Sequence, residues 1–344
     1  MRALITGGAG FIGSHLADAL LERGHDVVVL DDLSTGRLEN LDHLLGHARF
    51  RCLIDSVTNA AMVGDLMARA DVVFHLAAAV GVRLVVDQAI HTIENNVNGT
   101  EVVLREASRR KTRVIVASTS EVYGKSAALP FREDADLVLG PPNKPRWGYA
   151  ASKLIDEYLA LAYWKERGVP TTVVRLFNAV GPRQCSQYGM VLPNFVRQAL
   201  AGKRIVVHGD GTQTRCFTWI GDVVASLLAL TDESPAIGQV FNIGSDVEVA
   251  IGDLARTVKE MTASSSSIAH VPYDLAFGND FEDMPRRVPD TTKLQRLVGC
   301  RSWMQPEEII ARTIAYWRTE GSATAELPSM STERVWPRPS MEVH

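Results

Sequence analysis

Cysteine is scarce: four in 344 residues, Cys52, Cys185, Cys216 and Cys300, with no C-x-x-C spacing and no neighbouring metal ligands. That scatter argues against a metal site, and reduced thiols in the cytoplasm are the simpler account. No block of basic residues occurs, and the formal net charge is −4, so nucleic acid is not an expected partner. No apolar run is long enough to cross a bilayer, so no membrane association is expected. The chain opens directly on an apolar strand, which leaves no leader peptide to expect. Hydrophobic residues make up 46% and charged residues 22%, an ordinary balance for a soluble globule of one large or two modest domains.

What is present begins at residues 2–13, RALITGGAGFIG. Ala3-Leu4-Ile5 predicts a buried strand. It runs into Thr6-Gly7-Gly8-Ala9-Gly10-Phe11-Ile12-Gly13, after which Ile12, Leu16, Ala19 and Leu20 recur at helical spacing. Strand, glycine turn and helix form the unit that holds a dinucleotide pyrophosphate at a helix N-terminus. Gly7 takes a dihedral that a Cβ forbids, Gly10 admits the phosphates, and Gly13 lets the helix sit close to the strand. A second strand, Asp26–Leu30, ends at Asp31-Asp32. A carboxylate there accepts from ribose hydroxyls and repels a 2′-phosphate, so Asp31 selects NAD over NADP. Asp32 is either a second contact or part of a surface turn with Ser34, Thr35 and Gly36.

The α/β alternation continues. A helix is expected over Leu38–Leu45, a strand over Phe50–Ile54, a helix over Val57–Met67 and a strand over Asp71–Leu76. Asp55, with Ser56 beside it, either meets the adenine amino group or caps the next helix. Ala77 and Ala78 allow close approach of a ligand after Leu76, and His75 is read as a buried structural histidine. Asn95 and Asn98 are polar within a helical segment and bond either the cofactor or a neighbouring backbone. The strand Arg113–Ala117 leads into the hydroxyl-rich Ser118-Thr119-Ser120-Glu121. Pro130–Arg146 reads as a long loop before a helix from about Trp147, and a strand follows at Thr172–Phe177. Beyond Arg183, helices are expected at Met190–Leu200, Asp222–Leu230, Ile251–Met261 and Pro306–Arg318. Strands are expected at Arg204–His208, Cys216–Ile220 and Val240–Ile243.

Tyr149 and Lys153 lie four residues apart, on one helix face. A free phenol, with a pKa of about 10, is a poor base at neutral pH. A nearby ammonium and the positive nicotinamide both favour the phenolate. Tyr149 then takes the proton from a sugar hydroxyl as its carbon gives up hydride, and Thr119 holds the same oxygen.

These motifs, in this order, resemble the extended short-chain dehydrogenase/reductase family, the nucleotide-sugar epimerases and dehydratases. The resemblance covers nearly everything before residue 321. It rests on TGGAGFIG, NNVNGT, STSEVYG, YAASK, RLFNAVGPR, MVLPNFVRQAL, VVHGDGTQTRCFTWIGDVV and RRVPD. It implies an α/β fold: a Rossmann doubly wound parallel sheet over 1–178, completed by a strand and helix about 239–262. A smaller mixed lobe over 179–320 binds the nucleotide sugar, and 321–344 is a flexible tail. Catalytic roles fall on Tyr149, Lys153, Thr119 and Glu121. Cofactor contacts fall on Gly7, Gly10, Phe11, Ile12, Gly13, Asp31, Asp32, Ser34, Thr35, Gly36, Asp55, Ser56, Leu76, Ala77, Ala78, Asn95 and Ser118. Substrate contacts fall on Thr119, Asn178, Val191, Leu192, His208, Arg215, Arg287 and Arg83. The implied cofactor is NAD, bound throughout turnover, the implied ligand a UDP-sugar, and the implied assembly a homodimer through the helices near Asn96–Arg109 and Tyr149–Arg167.

Oxidation at C4 of the sugar leads to epimerisation, decarboxylation or 4,6-dehydration. Thr119-Ser120-Glu121 resembles both the UDP-glucuronate decarboxylases and the GDP-mannose dehydratases, and Arg287 within RRVPD resembles an arginine of the decarboxylase pocket. Met190 stands where the decarboxylases carry an arginine, and AAAVGVRLVV lacks their proline-rich loop. The expected activity is therefore a UDP-sugar 4-epimerase acting on UDP-glucuronate, with the decarboxylase second and the dehydratase third. A non-catalytic NAD-binding regulator would lack Tyr149 or Lys153, and both are present.

Overall fold

The computed structural model describes residues 1–81, 85, 88–185, 190–277, 282–299 and 302–325. Six strands come first: β1 (Arg2–Thr6), β2 (Asp26–Asp31), β3 (Phe50–Ile54), β4 (Val72–His75), β5 (Arg113–Thr119) and β6 (Thr171–Leu176). Short strands follow: β7 (Ala179–Val180), β8 (Ile205–His208), β9 (Thr214–Cys216) and β10 (Thr218–Trp219). The last three are β11 (Gln239–Ile243), β12 (Glu248–Ala250) and β13 (Ile268–Val271). β11 and the first six form one parallel sheet in the order β11-β6-β5-β4-β1-β2-β3. Its central strands are apolar on both faces, as a sheet covered by helices on both sides requires. Leu4 and Ile5 of β1 are buried, with Ile5 level with Val29 on one side and Phe74 on the other.

The long helices are α1 (Phe11–Glu22), α2 (Ala60–Met67), α3 (Ala89–Ser108), α4 (Arg146–Arg167), α5 (Val191–Leu200), α6 (Ile220–Asp232) and α7 (Ile251–Met261). Two short ones, α8 (Tyr273–Phe277) and α9 (Thr292–Val298), precede α10 (Pro306–Ala325). One face of the sheet is covered by α1 and α6, whose Leu16, Leu20, Val223 and Leu227 share a core with Ile5 and Val29. The opposite face carries α2, α3 and α4, with Val63, Val103 and Ala160 packed on Leu4, Val73 and Val116. A second core joins Leu192 and Phe195 of α5, Ile205 of β8, Leu254 and Val258 of α7 and Ile310 of α10. The doubly wound Rossmann sheet is therefore present. Chain order reverses between β1 and β4, and such a switch opens a crevice at the carboxyl ends of the strands.

Several boundaries differ from the sequence reading. The helix that completes the first lobe is α6, packed on α1; α7 turns its Leu254 and Val258 into the second core instead. Leu38–Leu45 forms two 3₁₀ turns, Leu38–Asn40 and Asp42–Leu44, rather than one α-helix. α2 starts at Ala60, because Asn59 caps it by accepting the Met62 N–H at 3.3 Å. Cys216–Ile220 is not one strand: β9 pairs antiparallel with β12, β10 pairs with β7, and Phe217 between them is buried. α10 runs to Ala325, so the first five residues of the expected tail are helical, and 326–344 lie outside the described residues.

A Cβ at Gly13 would stand 2.4 Å from the Gly7 carbonyl oxygen and 2.6 Å from the Gly8 Cα, both backbone atoms that cannot step aside. Gly13→Ala is expected to separate α1 from β1 at a cost of about 1–3 kcal/mol. It should lower the melting temperature and weaken NAD binding together. Thermal melts with and without NAD check this.

Candidate active site

The carboxyl ends of the parallel strands and the edge of the second lobe enclose one cleft of about 520 Å³. Its first wall is the glycine turn. Gly7 has φ +73° and donates its N–H to Leu30 at 2.8 Å. A Cβ there would lie 2.7 Å from the Ala77 nitrogen, so β1 and the end of β4 meet with no side chain between them. Gly10 occupies the N-cap of α1 without a side-chain cap, and Phe11, Ile12 and Gly13 of the first turn line the cleft. Uncapped N–H groups at a helix start suit a pyrophosphate. At the tip of β2, buried Asp31 accepts the N–H groups of Ala9 and Leu33, each at 2.9 Å. Burial pushes its carboxyl up, and those donors offset part of the rise. A side-chain-free turn, an uncapped helix and a buried carboxylate fit a dinucleotide with free ribose hydroxyls.

Of the residues singled out for the cofactor, Asp32, Ser34, Thr35, Asp55, Leu76, Ala77, Ala78 and Asn95 also line the cleft. Two do not. Gly36 lies behind Asp31, where a Cβ would come within 2.7 Å of the carboxylate. Ser56 bonds Thr58 through its hydroxyl at 2.8 Å and meets Asp55 only through its backbone N–H at 2.7 Å. Asp55 does not cap α2; it accepts the Asn59 amide at 2.8 Å and leaves the cap to that residue. Ser118 is at the cleft, but its hydroxyl is committed to Glu157. His75 is buried between Thr6 and Thr100, at 2.8 and 3.0 Å, and belongs to the core.

The opposite end holds Thr119 at the tip of β5, Glu121 just after it, and Tyr149 and Lys153 on α4. Glu121 accepts from Arg287 at 3.1 Å and from Arg146 at 3.2 Å. Arg146 also reaches Asp283 at 3.0 Å, Arg215 grips the same carboxylate with contacts of 2.8 and 2.7 Å, and the Tyr273 hydroxyl donates to it at 2.8 Å. Burial pushes Glu121 up, yet Arg146 and Arg287 outweigh it and hold the carboxyl below its ordinary value. Asp283 is likewise penalised by burial and held down to about 2, chiefly by Arg215 and Arg146. Burial, and then Arg215, lowers Arg287 to about 10.

Tyr149 differs from expectation. Burial raises its phenol, Glu121 raises it further, and the Thr119 hydrogen bond lowers it only in part. The Lys153 ammonium bonds Asp156 at 2.7 Å, so its charge is balanced before it acts on the phenol.

Asn178 (φ +31°) and Val191, Leu192, His208, Arg215 and Arg287 all reach the cleft, whereas Arg83 lies outside the described residues. Sequence reasoning passed over Arg146, Asp156, Tyr273 and Asp283. Arg146 carried a usable signal: it sits three residues before Tyr149, on the same helix face. Asp283 and Tyr273 carried none, since only the fold brings them across to β5.

Comparison with known proteins adds the following. The model of the family described as "NAD dependent epimerase/dehydratase family" matches residues 3–244. The chain is 42% identical over 318 residues to a UDP-N-acetyl-alpha-D-glucosaminuronate decarboxylase of Bacillus cytotoxicus, covering 92% of this chain and 98% of that protein. It is 37% identical over 320 residues to UDP-glucuronic acid decarboxylase 1 of Xenopus tropicalis, covering 93% and 72%. A solved UDP-glucuronic acid 4-epimerase of Bacillus cereus, in complex with UDP-glucuronic acid and NAD, superposes with a TM-score of 0.84. It is 28% identical and covers 93% of this chain and all of that one.

Asp283 is ionised at neutral pH, and its folded pKa lies below the unfolded one. Its stabilising contribution is therefore present above about pH 4 and disappears as pH falls toward about 2. Asp283→Asn is expected to lower stability at pH 7 by about 2 kcal/mol, the energy of that shift. The gap between variant and parent should narrow below pH 4, which chemical denaturation across that range measures.

Proposed function

The chain belongs to the NAD-dependent epimerase/dehydratase family, and from that premise we propose that it is a UDP-hexuronate decarboxylase. The 4-epimerase expected from the sequence is set aside. Two relatives, at 42% and 37% identity, are named as decarboxylases, and the 4-epimerase superposed on this chain is 28% identical. Met190 carries no charge, but Arg146, Arg215 and Arg287 bring positive charge to the same cleft from α4, β9 and the segment before Pro289.

The observation that carries the proposal is the Glu121 carboxylate held between Arg146 and Arg287 beside Tyr149. Among the described residues, three guanidiniums here face two carboxylates, Glu121 and Asp283. One further anion, the sugar carboxylate, then enters without leaving an unpaired buried charge. Asn178, on the second-lobe side, is assigned to the diphosphate, while Arg215 stays on Asp283 and is counted in that balance.

NAD held along the glycine turn supplies a hydride acceptor at C4 and later returns the hydride. Tyr149 takes the C4 hydroxyl proton, with Thr119 bonded to the same oxygen. The resulting 4-ketone is β to the C6 carboxylate, so the C5–C6 bond breaks, CO₂ leaves, and the electron pair moves onto the ketone oxygen. A proton from solvent then reaches C5. Tyr149 returns its proton to O4 if the ketone is reduced before release. Three unpaired cysteines, Cys52, Cys185 and Cys216, fit the reducing cytoplasm as its compartment, and no helix among the described residues is long and apolar enough to cross a membrane.

We also assign the assembly to a homodimer. α3 and α4 pack side by side and leave Ile90 (75% exposed), Ile93, Ile155 and Tyr158 (67%) on one outer face. Tyr158→Glu should shift the scattering mass in solution from dimer to monomer.

The decisive assay is purified protein with UDP-glucuronate and, separately, UDP-N-acetylglucosaminuronate, followed by NMR. The expected products are CO₂ and the UDP-pentose or its 4-ketone. UDP-galacturonate without CO₂ overturns the reading. Glu121→Gln removes the carboxylate that Arg146 and Arg287 share and is expected to cut CO₂ release by about 10²-fold or more, the scale of breaking a buried ion pair.

A further inference from the structure

We propose that Asp156 is a positioning residue: it holds the Lys153 ammonium and offsets its charge, and so sets the pH at which Tyr149 can take the C4 proton. The inference rests on the reading of Tyr149 as the proton acceptor.

Lys153 and Asp156 lie three residues apart on α4. Nζ and Oδ2 are 2.7 Å apart, and the two side chains are 3% and 0% exposed. An ion pair this deeply buried has no solvent to screen it, so each partner's position is dictated by the other. The groups around it come from three further elements. Thr100 of α3 faces the Asp156 carboxylate, and its hydroxyl bonds Nε2 of His75 at 3.0 Å. His75 of β4 is braced in turn by Thr6 of β1 at 2.8 Å. Burial, and the charge of Lys153, drive His75 down to about 3, so it is neutral and adds no charge to the pair. On α4 itself, Glu157 is the next carboxylate. Arg175 of β6 takes both its oxygens, at 2.7 and 3.0 Å, so its charge is matched there. Burial raises the Asp156 carboxyl, while Lys153 and Thr100 draw it back.

The consequence falls on the phenol. Around Tyr149, Glu121 and Asp156 oppose its ionisation, and Thr119 and Arg287 favour it. An uncompensated ammonium one helical turn away would lower the phenol substantially. With Asp156 paired to it, the lysine reaches the phenol as part of a dipole, whose field falls off faster than that of a charge. Asp156 thereby commits Tyr149 to working at a higher pH than the lysine alone would allow.

The test uses NAD-loaded protein with UDP-glucuronate, comparing the parent with Asp156→Asn. Asp156→Ser keeps a hydroxyl for Thr100 and serves if the amide variant does not fold. Two quantities are read: the acid limb of the kcat profile, and the ultraviolet titration of the phenol, obtained by difference from Tyr149→Phe in each background. Removing the carboxylate should move both midpoints down by about one pH unit, with KM little changed. Midpoints that coincide with the parent's, or that rise, overturn the proposal. So does a parental phenol midpoint below about pH 7, which would mean that the lysine acts unopposed. Turnover by Tyr149→Phe at the parental rate would overturn the reading of the site as well, and so separates the two failures.

Discussion

Everything at the cleft depends on backbone meeting backbone where β1 ends. Gly7 lies against the Ala77 nitrogen, and Gly13 against the Gly7 carbonyl, closer than any Cβ allows. That contact brings the uncapped start of α1 over the crevice between β1 and β4. It also brings the tips of β2 and β5 to the same rim, because parallel strands all present their carboxyl ends on one side. Asp31 and Thr119, 88 positions apart in the chain, therefore share one cleft.

The Glu121 end of the cleft is ordered by charge rather than by packing. Arg146, Arg215 and Arg287 and the carboxylates of Glu121 and Asp283 form a continuous network, with exposures of only a few to seventeen per cent. Burying such charges is costly unless each has partners, and the network supplies them. Two of its members, Asp283 and Arg287, lie close in sequence on the irregular segment that follows α8. Ligand recognition at this end is thus tied to how that segment folds onto β5 and α4.

The difference between the two activities weighed for this chain is a difference in one corner of the cleft. Epimerisation needs room for the oxidised sugar to present its other face. Loss of CO₂ needs an electron sink at C4 and an anion-compatible pocket at C6. Thr119-Ser120-Glu121 and Arg287 carried part of that resemblance in the sequence, and Met190 stood where an arginine was expected. Arg146, at the start of α4, adds a guanidinium beside Glu121. Its neighbour Tyr149 stood out as part of YAASK, whereas an isolated arginine at the end of a proline-rich loop did not.

The sequence alone marked the strands of the sheet and the glycine turn, and singled out Asp31, Thr119, Tyr149 and Lys153, which all line the cleft, because each is signalled within a dozen residues by local periodicity or a short motif. It did not determine that α6, rather than α7, closes the first lobe, since which core a helix faces depends on the path of the chain around it and not on the helix's own pattern. Nor did it reveal that Lys153 faces Asp156, or that Asp283 joins Arg146 of α4 to Arg215 of β9. Those are properties of side chains brought together by folding, and the charge balance that governs proton transfer exists only once burial removes the water that would otherwise screen them.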